Sequence, residues 1–174
     1  KLFLSQKYDA LFRYIPVQKG DCFDIPPGTL HSLCSGLVAF EVQQNSDITY
    51  RLYDYDRVDD YGNKRSLELQ KALDVIKIPN QPTKIHLDDV SIHGKNMLLV
   101  NQHFRLFSLD VRGDISLDCK NVFITLSVIE GVGMMDDEYI KKGYNFIILP
   151  SNEPIYFSGS FKALMVEPNI SSVL

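Results

Sequence analysis

The sequence predicts a mainly β protein, built as jelly-roll barrels with a few short helices. Short runs of β-branched, aliphatic and aromatic residues recur along the chain, separated by Gly, Asp, Asn and Pro. Apolar and polar residues alternate with period two over 37–44 and 48–55. Helical spacing of apolar residues is confined to two short stretches. At 174 residues and 45% hydrophobic content, the chain can bury a real core, in one ordinary domain or two small ones.

In chain order, Leu4, Tyr8, Leu11 and Phe12 recur at helical spacing and stop before Ile15-Pro16, so a short amphipathic helix leads into the first strand. Glycine and proline then mark a turn. Leu37 to Gln44 and Ile48 to Tyr55 read as adjacent strands joined at Asn45-Ser46-Asp47. The Asp-, Gly- and Asn-dense stretch from Asp56 to Lys64 reads as loop. Ser66 to Ile76 is the clearest helix, with Leu69, Ala72, Leu73 and Ile76 on one apolar face. Two prolines and several polar residues make Pro79 to Asp89 a linker. Beyond it, Met97–Val100, Phe104–Val111, Val122–Ile129, Tyr144–Leu149 and Ala163–Val166 are strand candidates of a second small barrel.

Composition excludes several functions. A net charge of -4 and a pI near 5.5, without a basic stripe, give no surface for nucleic-acid phosphates. No apolar run reaches the length of a membrane span and no signal-peptide pattern appears. Cys22, Cys34 and Cys119, odd in number and widely spaced, read as buried reduced thiols rather than a disulfide framework or a Cys-x-x-Cys metal site. The expected compartment is the cytoplasm. Asn169-Ile-Ser171 is a sequon that matters only in a secreted protein.

Chemistry concentrates in two blocks. Gly20-Asp-Cys-Phe-Asp-Ile-Pro-Pro-Gly-Thr-Leu-His31 carries Gly20, Pro26, Gly28 and His31 at the spacing of the second cupin motif. Glu41-Val-Gln-Gln-Asn-Ser-Asp-Ile-Thr-Tyr-Arg51-Leu-Tyr-Asp-Tyr-Asp-Arg57 packs polar and charged residues onto what reads as sheet. From Gly20 through Gly62-Asn-Lys-Arg65 to Ile76, the chain resembles the type I mannose-6-phosphate isomerases, a zinc-dependent bicupin family.

That resemblance implies a fold, a reaction and a site. Residues 1–78 would be the end of the metal-binding cupin with its helical insertion, 79–92 a linker and 93–174 a second, metal-free cupin-like barrel. Gly143-Tyr-Asn-Phe-Ile-Ile-Leu-Pro150 in that barrel echoes the first turn without its histidine. The implied reaction interconverts mannose 6-phosphate and fructose 6-phosphate through a metal-assisted enediol. His31 would be one ligand of a single zinc ion. The family's Gln-x-His pair and Glu ligand lie upstream of anything present here, and its enzymes are nearly twice as long. The chain, opening on Lys1, therefore reads as a C-terminal half whose first partner is its own N-terminal half.

Arg51 is the implied catalytic arginine, able to stabilise an enediolate or hold the substrate phosphate. Against this stands an ordinary ion pair with Asp47, Asp54 or Asp56. Glu41 and Gln43 share strand parity, so both face one side. Glu41 is the candidate base, on the expectation that a barrel interior desolvates it. Gln43, Asp47 and Tyr50 are candidate sugar contacts. Tyr53, Tyr55, Arg57, Lys64 and Arg65 would form a rim, and His86, His93 and His103 take no ligand role. One departure is visible: where the family ends a short stretch in His after Lys64-Arg65, this chain has Ser66-Leu67-Glu68. The competing reading is a non-catalytic cupin module that binds sugar phosphate and has lost its metal.

Overall fold

A computed structural model describes residues 12–46, 48–80, 82–86 and 92–169. The leading helix through Leu4, Tyr8 and Leu11, together with Asp47 and the last two residues of the sequon, lies outside them.

Over the described residues the protein is mainly β, with antiparallel sheets and one short helix. Strand β1 (Asp21–Asp24) pairs with β2 (Thr83–His86), Asp21 lying opposite His86. Helix α1 (Leu69–Val75) lies between them in sequence. The larger sheet holds β3 (Gly94–Val100), β4 (Phe104–Arg112), β5 (Ile115–Leu117), β6 (Ile124–Met135), β7 (Glu138–Lys141), β8 (Asn145–Ile148) and β9 (Ile155–Pro168).

The long strands β6 and β9 run side by side from Thr125↔Val166 to Met135↔Phe157 and form its spine. On one side β9 receives β4 and then β5, and β3 closes that edge. On the other side β6 receives β8 and then β7. Alternation along the strands sorts the two faces. Leu109 from β4, Ile124 and Leu126 from β6, Ile140 from β7 and Phe157 and Met165 from β9 join one buried cluster. Strands from opposite sides of the spine thus share one core, so the sheet curls around it. The opposite parity puts Leu98, Leu106 and Leu164 on the other face, with Cys22 and Val42 of the first block packed against them. Glu167 is buried and ion-paired to Lys95 and to Arg105, the latter at 3.1 Å.

The second-unit strands emerge near their expected places, and three short strands were not expected. Strands β5 and β7 are three and four residues long, too short for an alternation pattern to register. The third, β2, lies inside the stretch expected to be a linker, so His86 is on a strand rather than in a loop. It forms because Asp21, whose side chain is only 2% exposed, accepts hydrogen bonds from Gln18 N (3.0 Å), Lys84 Nζ (2.9 Å) and His86 Nδ1 (2.8 Å). Lys84 and His86 both come from β2.

The hairpin expected from 37–44 and 48–55 is not formed. None of the described residues in these stretches is in a strand. Leu37, Phe40, Ile48 and Tyr50 are exposed, and Val38 is 104% exposed. A strand pattern needs a hydrogen-bonding neighbour and a covering layer, and these apolar side chains find neither among the described residues. The helix is shorter than expected. Of its expected apolar face only Ala72 is buried, while Leu69 and Leu73 are exposed. Cys119 is buried and Cys22 half-buried, but Cys34 is exposed, contrary to expectation.

The Asp21 cluster predicts an acid-sensitive β1–β2 pair. The Gln18 N–H and the Lys84 and His86 bonds lower the Asp21 pKa from 3.8 to about 2. The folded chain then binds fewer protons than the unfolded chain between those values. The stabilisation is complete above pH 4 and lost as pH falls toward 2. Asp21→Asn is expected to lower the urea midpoint at pH 6, with the gap to the parent closing as pH falls through 4. A gap that is constant with pH would refute the assignment.

Candidate functional site

The proline–glycine turn is built as its spacing requires. Thr29 N–H and Oγ both donate to the Pro26 carbonyl, at 3.1 and 2.6 Å. Gly28 has φ +86, and a Cβ there would lie 2.7 Å from the Val75 carbonyl oxygen. Only glycine combines that backbone with so close an approach. Lys77 N–H donates to Gly28 O (3.0 Å) and Asn80 Nδ2 to Thr29 Oγ (2.7 Å). The turn therefore rests on the C-terminal end of α1.

The other end of the helix holds Arg51. Arg51 N–H donates to Glu68 Oε2 (3.0 Å), and Glu68 N–H donates back to the Arg51 carbonyl (3.0 Å). Ser66 Oγ supports the same carboxylate at 3.3 Å. These contacts hold the Glu68 carboxyl below the usual range, chiefly through the Arg51 N–H. The residue that departs from the resembled family thus takes both backbone groups of the implied catalytic arginine. Leu52, the next residue, is buried.

The arginine side chain faces a shared carboxylate. Asp54, also buried, receives two parallel bonds from Arg65: Nε to Oδ2 at 2.6 Å and Nη2 to Oδ1. The Arg65 bond is the main cause of a lowered Asp54 pKa, with the charges of Arg65, Arg51 and Arg57 assisting. Arg51 Nε lies 4.0 Å from Asp54 Oδ1, beyond hydrogen-bond reach, and its side chain is 28% exposed. Arg57 stacks over the Tyr55 ring at 5.2 Å, and Tyr55 packs on Tyr53. Lys64 pairs with Asp56 at 2.6 Å.

His31 is exposed and is not on a strand, so the expectation of an interior-facing ligand on a barrel strand is not met in this chain. Its Nδ1 lies 2.9 Å from the Thr29 carbonyl. A carbonyl only accepts, so Nδ1 is the donor in this bond, and in the neutral ring Nε2 is the nitrogen with a free lone pair. The neighbouring Ser32 hydroxyl bonds Tyr55 Oη at 2.6 Å, tying the His31 loop to the Arg51 block. Glu41, Gln43 and Tyr50 are exposed; Asp47 is outside the described residues. Val42 packs against the outer cluster of the sheet, while Glu41 and Gln43 on either side of it are exposed. The burial expected for Glu41 is absent.

No family model matches this chain. Mannose-6-phosphate isomerase ManA of Bacillus subtilis is 39% identical over 162 residues, 90% of this chain and 50% of that protein. The chain is a mannose-6-phosphate isomerase homologue. A mannose-6-phosphate isomerase from Streptococcus mutans is 32% identical over 156 residues, 87% of this chain and 49% of the relative. The crystal structure of the Bacillus subtilis mannose 6-phosphate isomerase superposes on 71% of this chain and 41% of its own, with TM-score 0.56 and 26% identity. A cupin-2 domain protein from Shewanella frigidimarina also aligns, at TM-score 0.38 and 17% identity, over 48% of this chain and 93% of its own.

This homologue spans about half the length of the curated relatives it matches. Among the described residues, no three His, Cys, Asp or Glu side chains come together in a way that would hold a metal ion. His31 Nε2 is a single donor, so the described residues do not by themselves fit a zinc ion. No helix among the described residues is long and apolar enough to cross a membrane.

Proposed function

We propose that this homologue is one half of an aldose–ketose isomerase that interconverts mannose 6-phosphate and fructose 6-phosphate, with its other half upstream. The observation that carries the reading is identity of 39% across 90% of the chain to a mannose-6-phosphate isomerase. Arg51 is the catalytic arginine. Its backbone is fixed by Glu68 and its guanidinium is within charge range of Asp54 but not hydrogen-bonded to it. A fork held in this way can meet the negative oxygen that forms as a proton leaves C2. Glu41 is the candidate to take that proton, with Gln43, Asp47 and Tyr50 contacting sugar hydroxyls. His31 contributes one zinc ligand through Nε2, and the remaining ligands come from the upstream half.

The exposed apolar side chains of 37–50 fit the same reading. Leu37, Val38, Phe40, Ile48 and Tyr50 are placed for strands of the missing half to cover, which would also desolvate the Glu41 region. The chain alone is expected to give no turnover of mannose 6-phosphate with zinc present. Joined to the upstream half of a relative, it is expected to give zinc-dependent turnover in a coupled fructose 6-phosphate assay. A joined protein that folds, binds the sugar phosphate and does not isomerise it would replace this reading with a binding module.

A further inference from the structure

We propose that Arg65 is a positioning residue for Arg51: by occupying both carboxylate oxygens of buried Asp54, it stops Asp54 from capturing the Arg51 guanidinium and leaves that fork open to a sugar oxygen anion. The inference rests on the reading of Arg51 as the catalytic arginine.

Asp54 is a buried carboxylate and must be paired. Two guanidiniums lie near enough to pair with it. Arg65 does so in the two-bond geometry that guanidinium and carboxylate favour, through Nε and Nη2. Arg51 is left at 4.0 Å from Oδ1, so it feels the charge without spending a donor. Arg57, whose charge also reaches Asp54, is placed over Tyr55 instead. The Arg51 backbone is held on both sides by Glu68. Only a swing of its side chain separates the open state from a captured one. With Arg65 removed, Asp54 has one strong donor within that swing, and Arg51 becomes its partner.

The test uses Arg65→Gln, Asp54→Asn/Arg65→Gln and Arg51→Ala. In this chain, the Arg51 Nε–Hε resonance is followed by 15N NMR. Arg65→Gln is expected to shift it and slow its exchange with water, and the double variant to return it toward the parent. In the protein joined to its upstream half, Arg65→Gln is expected to lower kcat/KM about tenfold, the size of a direct coupling between neighbouring charges, and the double variant to recover most of that loss. A pair that only stabilises the fold can show the same recovery in stability, because the double variant also removes the unpaired buried charge, but it leaves the Arg51 Nε–Hε resonance of Arg65→Gln where the parent has it. The double variant leaves no buried charge unpaired, so it tests the idea even if Arg65→Gln folds poorly. An unchanged Arg51 resonance in Arg65→Gln, or a double variant no better than that single one, overturns the inference. Full turnover by Arg51→Ala would instead sink the reading of Arg51, while the NMR arm still judged whether Arg65 keeps Asp54 off it.

Discussion

A single methyl group at position 133 is expected to lower the stability of the chain by about 3 kcal/mol, at the upper end of the range for overpacking. Gly133 is on β6 opposite Gly159 on β9, in the ladder that forms the spine of the sheet. A Cβ at Gly133 would meet the Ser158 carbonyl oxygen and lie 2.7 Å from Phe161 Cδ1. From the other strand, a Cβ at Gly159 would lie 2.7 Å from Gly133 Cα. The two backbones therefore approach as closely as they do because neither carries a side chain. Accommodating a Cβ means parting β6 from β9 or displacing the buried Phe161, and each disturbs the main cluster. Gly143→Ala is the comparison. Gly143 has φ +93 but nothing within 4 Å of an added Cβ, so only backbone strain of about 1–2 kcal/mol is expected. Urea denaturation of both variants separates space from strain. Equal losses would show that the Gly133–Gly159 approach does not constrain the sheet.

Why some of this was readable in sequence follows from what each element needs. Strands β4, β6 and β9 find their neighbours within this chain, and their inward residues Leu109, Leu126 and Met165 show the alternation that a one-sided core imposes. The turn ending at His31 was readable because Gly28 and the prolines answer to local backbone geometry, which needs no distant partner. Stretches 37–44 and 48–55 carry an equally clear strand pattern and form no strand, because no strand among the described residues lies beside them to supply hydrogen bonds. Asp54 and Arg65 were visible only as members of a charged set. Their pairing depends on the fold back from 54 to 65, which no local spacing encodes. Glu68 was marked as a departure from the resembled family, yet nothing in sequence said that it would take the Arg51 backbone. The helix was found, but its role was not. With Leu69 and Leu73 exposed, it serves less as a core element than as a bracket between the Gly28 turn and Arg51.

Arg51→Ala, in the protein joined to its upstream half, is expected to lower kcat/KM by about 10²–10³, the loss typical of removing one donor to a developing oxyanion. Its effect on stability should be small. The bonds that fix this position run through the Arg51 N–H and carbonyl to Glu68, and alanine keeps both. The side chain itself gives up only a 4.0 Å approach to Asp54, whose carboxylate stays paired with Arg65. An unfolding free energy from urea denaturation within about 0.5 kcal/mol of the parent is therefore expected alongside the lost turnover. Arg51→Lys sharpens the result, because it restores the charge without the planar fork. If the fork is what meets the enediolate, lysine recovers only part of the activity. Recovery to the parent rate would mean that a point charge suffices, as for holding a phosphate. Turnover by Arg51→Ala within threefold of the parent would remove Arg51 from the chemistry and leave the Asp54–Arg65 pair as a purely structural feature of the loop.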